Sequence, residues 1–134
     1  MTTKTEQLPH DAGFIISEGN GFISREAVTL AQVAAATVKA GTVMGKRDDG
    51  NYQQLDTASS EGNSTAVGIL LNEVDATAGT AAGVIINKDA EVRDDDLIWP
   101  TGISAGNKAT AIAALLALGI KIRAVGTTVT TQTT

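Results

Sequence analysis

Residues 66–71 read AVGILL, six apolar positions without a polar interruption. A half-buried strand alternates polar and apolar side chains, so a short unbroken run predicts a strand covered on both faces. Working outward, Val84-Ile85-Ile86 repeats the pattern, and Ala90 and Val92 then alternate with Glu91 and Arg93. On the other side, KAGTVMGK (39–46) leads into RDDGNYQQL (47–55), where Asp49-Gly50 predicts a hairpin turn and Tyr52 and Leu55 begin the returning strand. With EAVTLAQV (26–33) added, short strands punctuated by turns predict a small β-barrel or sandwich. The Asn63-Ser64-Thr65 triplet, formally a glycosylation sequon, reads as one of these turns.

One segment breaks the pattern. In KATAIAALLALG (108–119), Ile112, Leu115, Leu116 and Gly119 recur at helical spacing. Asn107 is a candidate N-cap, and Gly119 suits the left-handed residue after the last turn, so a helix is expected over about 107–118. Ile120 and Ile122 alternate with Lys121 and Arg123, which predicts a final strand of about five residues. The fold class is therefore α+β and mostly β, with one short C-terminal helix.

The ends differ from this body. GFIISEGNGFIS (13–24) holds both phenylalanines, with an Asn-Gly turn signal between Phe14-Ile15-Ile16 and Phe22-Ile23. It reads either as a hairpin or as an extended arm pairing outside its own domain, since the sequence assigns it no intrachain partner. Residues 1–25 are expected to form an arm, extended or mobile when free, and 26–125 the domain. The Thr-rich end, 126–134, is too poor in apolar residues to offset its ordering entropy and is expected to be a mobile tail.

Length and composition exclude several functions. The 134 residues fit one domain. Aromatics make up 3% of the chain and the formal charge is −5, which disfavours nucleic acid, whose binding uses stacking platforms and cationic surfaces. The chain has no cysteine, hence no disulfide and no thiolate chemistry. The N-terminal residues carry no signal-peptide pattern, and no stretch reaches the roughly 20 apolar residues of a membrane span. The expectation is a soluble protein made in the cytoplasm.

No catalytic constellation emerges. His10, the only histidine, lies in the polar leader without an orienting partner, and cannot complete a zinc site alone. GTVMGKR (41–47) spaces its glycines by three rather than four residues and lacks the Ser or Thr after Lys46, so it is no phosphate-binding loop. Asp94-Asp95-Asp96 precede Leu97-Ile98-Trp99-Pro100 and invite a cation reading, but adjacent side chains diverge, and a solvated charge run ending a strand is expected. Neither an enzyme nor a cofactor or metal is anticipated.

The ordered series AGTVMGK, TAVGILL, AEVRDDDLIWP, short helix and alternating strand resembles the lambda-type protein D family, the head decoration proteins of tailed bacteriophages, over residues 13 to about 125. The leader GFIISEGNGFISREAVTLA is similar to that of longer family members. The resemblance implies a structural virion protein on the outer capsid surface, a homotrimer that binds the major capsid protein of the expanded shell and stabilises the head. It implies that Phe14, Ile15, Ile16, Phe22 and Ile23 form a capsid-contact arm. Leu97, Trp99 and Pro100 are placed either in the protein's own core or at the trimer contact. Another β-rich virion or surface module, such as a fibre or adhesin domain recognising a glycan or host protein, stays open, as does a small β-domain enzyme or carrier.

Overall fold

The computed structural model describes residues 14–18 and 24–123. The leader with His10, the Phe22-Ile23 pair and the Thr-rich tail lie outside the described residues. Eight strands and one α-helix follow in order: β1 (Ile15–Glu18), β2 (Arg25–Leu30), β3 (Val43–Lys46), β4 (Tyr52–Gln54), β5 (Ala66–Leu70), β6 (Ala81–Ile86), β7 (Ala90–Arg93), α1 (Ala105–Ala117) and β8 (Ile120–Arg123). A single 3-10 turn, Asp94–Asp96, separates β7 from the segment leading to α1. Five strands close a barrel in the order β2-β4-β3-β5-β6, and β1-β7-β8 form a separate three-stranded sheet.

The unbroken apolar runs exist because the barrel wall has a core on each side. Leu30, Met44, Tyr52, Leu70 and Ile85, one from each barrel strand, pack together with Val38 and Val74 to fill the lumen. Val43, Ile69 and Ile86 point the other way, into a second core shared with Val92 of β7, Leu115 of α1 and Ile120 of β8. Neighbours such as Ile69 and Leu70 therefore serve different cores, as the sequence pattern requires. Ile69, Leu70, Ile85 and Ile86 are all fully buried.

The 47–51 turn joins β3 and β4 as an antiparallel hairpin with Lys46 opposite Tyr52, as the Asp49-Gly50 signal predicts. Strands β7 and β8 are parallel, with Ala90 opposite Ile120, so the chain needs a crossover between them, and α1 supplies it.

Three expectations change. The helix spans 105–117 rather than 107–118, and its N-cap is Ser104, whose hydroxyl accepts from the Asn107 backbone N–H at 3.1 Å. Asn107 instead sends its side-chain amide to the Thr57 hydroxyl at 3.3 Å. The buried helix face runs through Ala111 and Leu115, while Leu116 stands 57% exposed. Periodicity could not choose between the faces, because residues 109–120 contain no charged side chain. Gly119 does adopt the left-handed conformation after the helix, at φ 90°.

The third change concerns 14–18. An intrachain partner exists: β1 pairs antiparallel with β7, Ile15 opposite Val92, with a bulge before Ser17. Phe14 is 2% exposed within the outer core, and its carbonyl accepts from the Arg93 N–H at 2.9 Å. Burying a phenylalanine contributes about 1.5–3 kcal/mol, which adds to the β1–β7 hydrogen bonds in holding this short strand against the domain.

The two parts of the fold meet at a crossing point where Ile98 runs parallel beside Thr42, at the entry to β3. Ile98 donates its N–H to the Gly41 carbonyl at 2.8 Å, and its own carbonyl accepts from the Val43 N–H at 3.1 Å. Gly41 sits at φ 91°, and a Cβ there would lie 2.6 Å from the Asp96 carbonyl oxygen. Both the backbone conformation and the close approach demand glycine. Gly50 has a similar φ of 92° but opens onto free space. Gly41→Ala is therefore expected to lose about 3 kcal/mol or more of unfolding free energy, combining left-handed strain with a backbone clash. Gly50→Ala should lose only about 1 kcal/mol. Urea denaturation of the two variants beside the parent measures the difference, and equal losses would show that the crossing does not matter.

Candidate interaction surface

The DDDLIWP segment is built around its first acid. Asp94, half-buried at the end of β7, accepts a hydrogen bond from the Trp99 indole N–H at 3.2 Å. The Lys108 ammonium, from the second turn of α1, lies 3.5 Å from the same carboxylate and 5.2 Å from the centre of the Trp99 ring. One carboxylate, one indole and one ammonium thus tie the strand end to the helix, with the cation placed to interact with the ring face. Asp95 and Asp96 remain exposed. Asp94 departs from the expected fully solvated run because the 3-10 turn brings Trp99 back over it. Among the described residues, no group of three or more His, Cys, Asp or Glu side chains is positioned to hold a metal ion.

Leu97 is 8% exposed and belongs to the outer core, whereas Trp99 is half-buried and packs against that core from outside. Pro100, also half-buried, accepts through its carbonyl from the Ile103 N–H at 3.1 Å in the turn before α1. The three candidate arm residues that are described are not brought together on one surface. Phe14 is internal, Ile15 packs partly against the outer core, and Ile16 is 41% exposed. Phe22 and Ile23 fall outside the described residues. β1 has no strand on its outer edge among the described residues, which leaves backbone groups there able to receive one.

Two features lie beyond the sequence reading. Ile16, Leu116 and Leu118 are the exposed large hydrophobics among the described residues, and two of them sit at the C-terminal end of α1. The loop after β2 lines a groove of about 280 Å³ through Val33, Ala35, Ala36 and Val38, and Ile98, Gln53 and Gln54 line it too. A small-residue run such as VAAAT carries no periodic signal, so only the fold reveals the groove.

Electrostatics outside the Asp94 cluster are local. Glu91 on β7 accepts from the Arg123 guanidinium of β8 at 2.7 Å, and this hydrogen bond, helped by the charges of Arg123 and Lys121, holds the Glu91 carboxyl below its usual value of 4.5. Hydrogen bonds from the Thr37 hydroxyl and the Lys39 ammonium depress the Glu73 carboxyl in the same direction. Because the folded value of Glu91 lies below the unfolded one, its contribution is fully present above pH 4.5 and is lost as pH falls through the lower folded value. Solvent exposure keeps the effect small. Glu91→Gln is accordingly expected to flatten the fall of the urea midpoint below pH 4.5 while leaving the parent's pH dependence above it unchanged. An identical acid limb in both proteins would remove Glu91 as a contributor.

A family model described as bacteriophage lambda head decoration protein D matches residues 3–120, which include the AGTV strand, AVGIL, LIWP and all of α1. A search of curated proteins finds no match.

Proposed function

This chain belongs to the bacteriophage lambda head decoration protein D family, and from that premise we propose that it binds the exterior of the expanded phage capsid as a homotrimer and stabilises the head. The family match over residues 3–120 carries the reading. It extends through the residues of both cores and through the bridge between Ile98 and Thr42, ending at the first residue of β8, so it concerns nearly the whole described domain and not an isolated motif.

The physical basis is linkage. A protein that binds the expanded shell and not its precursor lowers the free energy of the expanded state by its binding free energy at the prevailing concentration. A trimer contacting several capsid subunits gains further through effective concentration, so each contact can be modest. The major capsid protein is the partner, and the open edge of β1 suits strand addition, in which backbone hydrogen bonds supply affinity and alternate side chains supply register. Phe14 anchors that strand in the domain, Ile15 supports it, and Ile16 faces outward. Phe22, Ile23 and the residues before Phe14 complete the capsid-contact arm in this reading. Nothing in the described geometry favours glycan binding or an acyl or phosphoryl chemistry over this role.

Pelleting the protein with expanded and unexpanded capsids tests the proposal: saturable binding to the expanded form alone is expected, and binding to neither form would end it. Because Phe14 is a core residue, the arm is tested by removing residues 1–12 and no more. That truncation is expected to weaken capsid binding about tenfold or more with an unchanged thermal midpoint. Undiminished binding would remove residues 1–12 from the contact and leave Ile16, Phe22 and Ile23 to carry it.

Trp99→Ala addresses the trimer. Loss of the ring from its seat on the outer core, and of its bond to Asp94, is expected to cost about 2–3 kcal/mol. If the exposed part of the ring also meets a neighbour, the variant sediments as a folded monomer. A variant that is still fully trimeric, by sedimentation velocity with circular dichroism as the check on folding, would assign Trp99 to the core alone.

A further inference from the structure

The solvent side of the three-stranded sheet carries a charge opposite to that of the chain. β7 turns Ala90 and Val92 into the outer core and leaves Glu91 and Arg93 on its other side. On β8, Ile120 is buried while Lys121 and Arg123 are exposed. The parallel register sets Glu91 opposite Lys121 and Arg93 opposite Arg123. These four residues bring three positive charges and one negative, a balance of +2 in a chain whose total is −5.

Pairing within the sheet leaves that excess standing. Like charges directly opposite one another across two strands are destabilising. A diagonal bond draws Arg123 away from Arg93: its guanidinium donates to Glu91 at 2.7 Å and occupies the one carboxylate of these four positions. Among the described residues, neither the Arg93 guanidinium nor the Lys121 ammonium forms an ion pair or a side-chain hydrogen bond. The face also continues the edge assigned above to the capsid. β1 is bonded to β7, so a strand added to β1 extends this same sheet at a spacing of about 4.8 Å and brings the capsid surface alongside the two free cations.

We infer that the solvent side of β7 and β8 is an electrostatic docking face for an acidic surface of the major capsid protein, with Arg93 and Lys121 as the cations that meet it. This rests on the capsid-binding reading above and adds the chemistry of the partner. The groups met are Asp and Glu carboxylates, which the planar Arg93 guanidinium can take two oxygens at a time and the Lys121 ammonium as a point charge. The rest of the chain carries the remaining −7, so an acidic shell repels every other side of the protein. Attraction at one face and repulsion at the others select the orientation in which the protein lands.

Pelleting the full chain with expanded capsids over a sodium chloride series tests the face. Binding of the parent is expected to weaken as salt rises. The double variant Arg93→Gln, Lys121→Gln is expected to bind about fivefold or more weakly at low salt and to lose most of the salt dependence, with the circular dichroism and thermal midpoint of the parent. The charge-conserving pair Arg93→Lys, Lys121→Arg is expected to keep the parent's binding. Lys39→Gln with Lys46→Gln removes two charges outside this sheet and is expected to bind as the parent does.

A parent that binds no capsid overturns the decoration reading and this face with it. A parent that binds, beside an Arg93→Gln, Lys121→Gln variant that matches it across the salt series, overturns the face alone and leaves decoration standing. An equal loss in the Lys39, Lys46 pair traces the effect to net charge and overturns the face too. So does dispersal of the free oligomer by the Arg93→Gln, Lys121→Gln change, which assigns the face to a second copy. Retention of a DNA duplex by the parent and not by that variant assigns it to nucleic acid, with the same result.

Discussion

The approach of the Asp96 carbonyl to Gly41 is the constraint from which the rest of the fold follows. The chain leaving β7 joins the barrel at the entry to β3, where Ile98 runs parallel beside Thr42 and exchanges hydrogen bonds with Gly41 and Val43. No side chain larger than hydrogen fits at the crossing, where a Cβ would come within 2.6 Å of a backbone oxygen. Once the crossing is made, Leu97 is delivered to the outer core, Trp99 comes back over Asp94, and α1 starts where it can close on β5 and β8. The barrel and the three-stranded sheet thereby become one body with two cores.

That constraint also explains which parts of the fold were legible. Double coverage of β5 and β6 could be read from AVGILL and VII, because a strand between two cores must be apolar at successive positions. The Asp49-Gly50 hairpin and Gly119 after the helix were legible for similarly local reasons, the left-handed backbone each site requires. Partnerships between distant segments were not. Nothing in AGTV announces that LIW runs parallel beside it, and nothing in FIIS names β7 as its neighbour. The helix face was misjudged because a segment apolar all round has no direction until Ala111 and Leu115 find β5 and β8. Ser104 took the cap from Asn107 because its oxygen lies one turn earlier, in reach of the Asn107 N–H, and both residue types are competent caps.

The site was legible as a motif and not as a surface. DDDLIWP marked the right place, yet its residues divide their work: Leu97 packs inward, Asp94 and Trp99 hold one another with Lys108, and Asp95 and Asp96 face water. Decoration of a capsid asks for this kind of division. A rigid body must present surfaces in several directions at once, and none of them needs the convergent acids, bases or cavities of an active site. The available surfaces are distributed accordingly, with an open strand edge at β1, exposed leucines at the helix end and the groove after β2.

The order of pairing in the sheets has a consequence for how the protein is made. The first described strand is hydrogen-bonded to the seventh, β2 lies along β6, and β7 waits for β8 beyond a whole helix. Each of these links closes a long loop before any contact rewards it, which places the domain among slow, high-contact-order folders. During synthesis the lumen core has all its residues once β6 has emerged, but the outer core cannot be completed until β8 has left the ribosome, so the apolar outer face of the barrel stays uncovered until then. Covering of the barrel's outer face is then gated by the emergence of β8, the last described strand.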